Sequence, residues 1–381
     1  MCIKFECARL KAQKNSKYDF DEILTNDILS EISFLITGKK EFTIKWSEVA
    51  NKGRVLIGLY NNKKYYINLS QYGLVASRNN YLQSVPTAYE QYFNDKTANK
   101  EFVYYCLPYT GNNRTKYIRF GYKLMKTAGI RFLNESYMLD KEILEPFYSM
   151  QELIETKREM RKYNPANKSS YITDEGDCYH IYGKTFGANG KETSLTCYSI
   201  SQLTNKPVTL YPIIDNDTTK LSDKTINTIQ QMGKIKVLYD SFAMESSSDK
   251  AVVEGIRSAK FIYNLLCKYS EKHCAMCNCQ IDRLIQAAHI WPVSDIKKAN
   301  LSTNDKKSKA SDAENGIWLC ENHHKLFDSD LLIINNDGEI AISDSLVEND
   351  MDYVNDITTI KQIKLSANMK EYLSLRYNKM I

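Results

Sequence analysis

The chain has five histidines in 381 residues, and four of them lie between His273 and His324. Two are neighbours, in the stretch "NGIWLCENHHKLFD" from Asn315 to Asp328. Adjacent side chains cannot face the same way on a helix or a strand, so His323 and His324 must serve different partners. Cysteines crowd the same segment: Cys267, Cys274, Cys277, Cys279 and Cys320 are five of the chain's ten. Cys274 and Cys277 form C-x-x-C, and Cys320 and His323 form C-x-x-H farther on. Two close pairs of soft or borderline ligands suit a closed, tetrahedral, structural zinc. Cys279 is an alternative ligand and His273 a weaker one. A thioredoxin-like redox use of the C-x-x-C is disfavoured, because such sites have no paired C-x-x-H.

If Cys320 and His323 face a zinc, His324 points about 100° away on the same helix. Asp328, four residues on, shares its face. One imidazole beside one carboxylate makes a half-site for a second, harder cation. On this reading the neighbouring histidines serve two metals.

These side chains need elements to hold them. "QAAHIWP" alternates apolar residues around His289 and reads as a strand ended by Pro292, and "GIWLC" reads as a second short strand leading into the helix of His323 and His324. Between them, "KKANLSTNDKKSKASDAEN" is too polar to make a core. It is expected as a long loop that ends at Asn315 and whose ends the zinc pins. Upstream, "AVVEGIRSAKFIYNLLCKYSEK" has a helical pattern, and the polar "MESSSDKA" is the best linker.

The order strand, loop with Asn315, strand, helix resembles the HNH, or ββα-metal, nuclease family. The likeness is to the branch with "AAHI" and "NGLLL…HRLFD" signatures common in bacterial restriction endonucleases, and it spans about residues 257–335. The resemblance implies that His289 is the general base toward the attacking water, as suits an imidazole titrating near neutrality. It implies that His324 holds a divalent cation, magnesium in the first instance, which neutralises developing charge at the scissile phosphate. Asn315 then holds the loop so that His289 faces the phosphate, and Asp328 ligates the cation or orients His324. One position departs from many relatives: Ala288 stands where an aspartate or histidine ligand often precedes the base. The second ligand is therefore open, with Asp328 preferred over Asp295, Asp312 and Glu314.

The remainder of the chain gives weaker signals. Residues 251–381 hold 16 Lys/Arg against 18 Asp/Glu, whereas residues 1–250 hold 35 against 28. An acidic polymer is therefore better gripped by the N-terminal part. From Asn112 to Arg131 there are six cations, Arg114, Lys116, Arg119, Lys123, Lys126 and Arg131, and no acid, with Tyr117, Phe120 and Tyr122 interleaved. Cations can neutralise phosphates and aromatics can stack on bases, so this stretch is the candidate DNA contact. "GRVLIGLY" and "KYYINLS" flank a "YNNKK" turn as a hairpin. Residues 178–214 read as strand, "GANGK" turn, helix and strand, with His180 as a core histidine.

The fold class expected is α+β. A mixed α/β recognition region occupies residues 1–245, with a possible split near 100–165. A ββα-metal nuclease domain with a zinc-pinned insertion follows over 250–340, and a helical extension over 341–381. The function implied is a type II restriction enzyme that cuts double-stranded DNA site-specifically with one catalytic metal, and two cuts through a duplex suggest a homodimer or two sequential nicks. It would be cytoplasmic, since neither a secretory signal nor a membrane span is read, and would use no nucleotide cofactor. The alternatives are a modification-dependent or homing endonuclease, and a catalytically inactive zinc-containing DNA-binding protein.

Overall fold

The structure is a computed structural model and describes residues 1–8, 24–47, 55–69, 78–106, 116–135, 145–163, 169–185, 187–214, 221–232, 235–239 and 258–377. The "MESSSDKA" linker and Arg114 lie outside the described residues. By contacts the chain divides into two compact units, each discontinuous in sequence. One comprises Met1–Ser170, Lys184–Pro207 and Ile214–Val237, and the other Tyr171–Gly183, Val208–Ile213 and Leu238–Ile381. Short stretches from the middle of the chain thus pack with its C-terminal part, a grouping that cuts across the contiguous segments 1–245, 250–340 and 341–381.

The first unit contains a six-stranded mixed sheet in the order β2-β1-β3-β4-β5-β6. Its strands are β1 (Ile3–Ala8), β2 (Phe42–Ser47), β3 (Val55–Tyr60), β4 (Lys63–Leu69), β5 (Lys100–Tyr105) and β6 (Arg131–Leu133). The expected hairpin is β3–β4, paired antiparallel with Tyr60 opposite Lys63. Its two-residue turn takes Asn61 and Asn62 to φ 47° and 58°. Asparagine tolerates that left-handed region best among residues with a Cβ, and the mirror-image turn matches the twist of the strands. Helix α1 (Asn26–Thr37) is capped by Thr25, which accepts from the Ile28 N–H, and closes at Gly38 with φ 77°. It buries Leu29 and Ile32 against Ile3, Phe5 and Leu56 of the sheet. The helices α2 (Arg78–Asn94), α3 (Lys116–Thr127), α4 (Met150–Tyr163), α5 (Gly187–Leu203) and α6 (Asp223–Gln231) and the short strand β10 (Ile235–Val237) complete this unit. The "GANGK" stretch forms the first turns of α5 rather than a turn before it. A Cβ on Gly190 would stand 2.6 Å from the Thr185 backbone, so the residue is needed for close approach.

In the second unit, β7 (Ser170–Asp174) and β8 (Tyr179–Lys184) are neighbours joined by a turn that the Glu175 N–H closes on the Cys178 carbonyl. β9 (Val208–Ile213) lies beside β8. Tyr171, Tyr182, Tyr211 and Ile213 from these strands pack on Phe261, Tyr263 and Leu265 of helix α7 (Ala259–Tyr269). The same cluster takes in Ile285, Ala287 and Trp318, one side of the hairpin formed by β11 (Ile285–His289) and β12 (Gly316–Cys320). Helix α10 (Glu321–Asp328) follows β12 directly and packs on both strands. The strand–strand–helix order is as expected. The polar interval is not a loop: it contains α8 (Val293–Lys298) and α9 (Thr303–Ser311). Ser302 accepts from the Asp305 N–H at 3.1 Å and donates to its carboxylate at 2.6 Å, a reciprocal cap that starts α9 without any apolar face. The strands β13 (Leu332–Ile334) and β14 (Ile340–Ile342) and the helices α11 (Glu348–Ile357) and α12 (Ala367–Tyr377) then fold back on the hairpin, burying Val354, Met369 and Leu373 with Ile290, Ile317 and Phe327. Among the described residues no helix is long and apolar enough to cross a membrane.

Candidate functional site

Cys274 and Cys277 stand on the turn before β11, Cys320 ends β12 and His323 lies in the first turn of α10. Their ligand atoms all fall within 4.8 Å of one another. Cys320 Sγ is 3.1 Å and Cys274 Sγ 3.5 Å from His323 Nδ1, and Cys277 Sγ is 3.9 Å from Cys320 Sγ. A tetrahedral zinc with bonds of about 2.3 Å to sulfur and about 2.0 Å to nitrogen has ligand–ligand edges of about 3.5 to 3.8 Å, so the four atoms fit that ion. Neither Cys279 nor His273 joins the cluster. Cys279 instead closes the turn, its carbonyl accepting from the Cys274 N–H at 3.0 Å.

The His323 ring is also held from behind. Thr358 Oγ1 donates to the Val354 carbonyl at 2.6 Å and so accepts from His323 Nε2–H at 3.2 Å. That fixes the tautomer with the Nδ1 lone pair facing the thiols, the usual way a protein orients a ligating imidazole. Burial pushes all three thiols up and the His323 imidazole down. The four groups are therefore neutral until a dication displaces the thiol protons. Sequence reading missed Thr358, because nothing in its spacing ties it to residues so far upstream.

His324 faces elsewhere, as expected. Its Nε2 is 3.2 Å from Asp328 Oδ2, with the histidine side chain 15 % and the aspartate 51 % exposed. Two ligands in adjacent octahedral positions around magnesium lie about 3 Å apart, so this pair fits a half-site that leaves the other positions to water and phosphate oxygens. Two of the three lesser candidates are engaged elsewhere: Asp312 accepts from the Tyr372 hydroxyl at 2.9 Å, and Glu314 pairs with Lys268 at 3.0 Å.

His289 ends β11, paired across the hairpin with Gly316. Its Nε2 is 3.0 Å from the Ala310 carbonyl, which can only accept, so Nε2 carries a proton and the tautomer of the uncharged ring is the one with its lone pair on Nδ1. The ring lies flat on Phe261, with centroids 3.7 Å apart and planes 14° apart. Phe261 also accounts for the glycine after Asn315: a Cβ on Gly316 would stand 2.5 Å from the Phe261 ring. Asn315 is fully buried. Its Oδ1 accepts from the Trp291 N–H at 2.7 Å, and its Nδ2 donates to the carbonyls of Trp291 and Lys309 at 3.2 and 3.1 Å. One side chain thus ties the exit of β11 to the end of α9, next to the carbonyl that holds His289.

Residues 274–335 match the family model described as HNH endonuclease. The C-terminal part of this chain carries an HNH endonuclease domain. The match contains both ligand pairs, His289, Asn315, His324 and Asp328, and it implies a nuclease whose substrate is DNA and which uses divalent metal. Comparison with curated proteins finds no match for the chain.

Outside the HNH domain, the basic stretch is partly corrected. Phe120 and Tyr122 are core residues, 1 % and 5 % exposed, so these two aromatics cannot stack on bases. Lys123 pairs with Glu152 at 2.7 Å, Lys126 with Glu135 at 3.0 Å and Arg131 with Glu101 at 2.5 Å. These cations have acidic partners within the fold, and a phosphate would have to compete with them. Arg119 and the backbone of Lys116 lie on the same helix, α3. His180 touches the rings of Tyr182 and Tyr211 and the Cys178 thiol, and burial, more than any neighbouring charge, lowers its pKa.

Proposed function

We propose that this protein is a divalent-cation-dependent endonuclease that cuts double-stranded DNA at specific sites, with the HNH domain cutting and the remainder of the chain selecting the target. The observation that carries the reading is the setting of His289. The Ala310 carbonyl holds its Nε2 proton, and Phe261 fixes the plane of the ring. Nδ1 is thereby the atom that takes a proton from the attacking water. Asn315 keeps that geometry by fastening the loop at both ends. His324 and Asp328 would hold the catalytic cation, their ligand atoms lying 3.2 Å apart. When bound, magnesium neutralises charge at the phosphate and at the leaving 3′ oxygen. Zinc bound by Cys274, Cys277, Cys320 and His323 would be structural, since four protein ligands would leave it no open position. Site specificity requires base-edge contacts in a groove, and residues 1–245, with the basic segment around Arg119 among them, are the place for them. A restriction role accounts for so large a recognition region beside so small a nuclease.

The test is incubation of the purified protein with unmodified phage DNA and magnesium. Discrete fragments that EDTA abolishes support the reading. A continuous smear means a non-specific nuclease, cutting only of methylated DNA means a modification-dependent enzyme, and DNA retention without cutting means an inactive binding protein.

A further inference from the structure

Arg376 lies on α12, beyond the segment that matches the HNH family. It is 6 % exposed. A buried guanidinium is costly unless it is paired and its donors are filled, and this one is occupied on every side. Nη1 donates to the Ile290 carbonyl at 3.1 Å and Nη2 to the Phe327 carbonyl at 2.5 Å. Nε and Nη2 both donate to Asp330 Oδ1, at 3.1 and 2.7 Å, and the guanidinium carbon lies 4.1 Å from the centre of the Phe327 ring.

What matters is where those acceptors stand. Ile290 directly follows His289, the proposed base. Phe327 directly precedes Asp328, which faces His324. One rigid planar fork therefore bridges the end of the strand that bears the base and the end of the helix that bears the cation site. The guanidinium also sits at the C-terminal end of α10, where it complements the helix dipole. Asp330 shows a local cost of keeping this arrangement. Its φ is 54°, the left-handed region that glycine usually fills after a helix, yet the position carries the carboxylate that balances Arg376. A lysine could not replace the bridge, since a single ammonium on a flexible stem cannot reach two carbonyls and a carboxylate in fork geometry.

We infer that Arg376 is a positioning residue for the nuclease site: from outside the HNH segment it sets the spacing between the His289 strand end and the His324–Asp328 helix. This rests on the proposed roles of those residues, so the test needs one readout that does not depend on cleavage. The full-length, zinc-loaded protein is compared with R376K, R376A and D330N. In the histidine side-chain NMR spectrum of the free protein, the ring signals of His289 and His324 should move in R376K and D330N, while those of His180 and His323 stay. In single-turnover cleavage with magnesium, R376K should cut more slowly by about tenfold or more, as small misplacements of reacting groups do, at unchanged half-saturating DNA. Added guanidinium ion should restore part of the activity of R376A. His289 and His324 signals that stay in place in both R376K and D330N would overturn the inference, as would a loss of cutting that follows loss of zinc and resists guanidinium. If the wild type itself fails to cut DNA, the nuclease reading falls, and the imidazole signals still decide whether Arg376 sets the spacing.

Discussion

Gly316 and Phe261 show how a single missing methyl group can hold a site open. The glycine is at φ −150°, extended backbone that any residue adopts, so it is retained for space rather than conformation. Its Cβ would fall 2.5 Å from a ring that is itself stacked on His289. Gly316→Ala should therefore destabilise the zinc-loaded protein by about 1–3 kcal/mol, the usual cost of overpacking a filled core, and tilt the His289 ring with it. Thermal unfolding checks the first effect, and the double variant Gly316→Ala/Phe261→Leu should regain part of the loss because the two sites are in contact. An unchanged Tm in Gly316→Ala would mean that Phe261 moves aside freely. Asn315 belongs to the same account. Asn315→Ala would strand the buried Trp291 N–H and two carbonyls, each worth about 1–3 kcal/mol when left unmet. Loss of stability and of cutting should come together, as unfolding curves and cleavage assays on one preparation would show.

The zinc cluster joins elements whose apolar residues, among them Met276, Leu319, Phe327 and Val354, share one buried core. One turn, the end of β12 and the start of α10 are pinned by four side chains, and the C-cap of α11 adds Thr358 behind His323. Thr358→Val keeps the shape and removes the acceptor, so zinc affinity should fall by about 10–100-fold, measurable by competition with a chelator. The thiols are pushed up by burial, and each must lose its proton to bind. Zinc affinity should therefore rise with pH through the neutral range and fall as the solution is acidified. An affinity independent of pH would mean that the cluster is not a thiolate site. The ligand pairs were legible in the sequence because each is local: C-x-x-C and C-x-x-H set their own geometry, and His324 with Asp328 follows from helical pitch. The strands around His289 and Gly316 were legible for the same reason. Helix α9 was not read, because a polar segment was expected to lack structure. Phe261, Thr358 and Arg376 had no signature at all, since each acts through a contact made only after distant segments fold together.

The arrangement of the whole chain was the least readable part. Strands β7 to β9 come from the middle of the sequence, yet they pack against α7, whose Phe261 supports His289. No local pattern announces such a pairing. Charge counts were similarly blunt: the cluster from Asn112 to Arg131 looked free of acids, but Glu101, Glu135 and Glu152 arrive from other elements to meet its cations. The division of labour proposed between a recognising region and a cutting domain places the chemistry on one atom, Nδ1 of His289. Single-turnover cleavage by His289→Ala, at saturating magnesium and with DNA affinity measured alongside, addresses that atom directly. Loss of the base should slow cutting by about 10²–10⁴-fold while zinc content and DNA affinity stay as in the wild type. Cutting at the wild-type rate would show that His289 takes no proton, and the mechanism proposed for this site would be wrong.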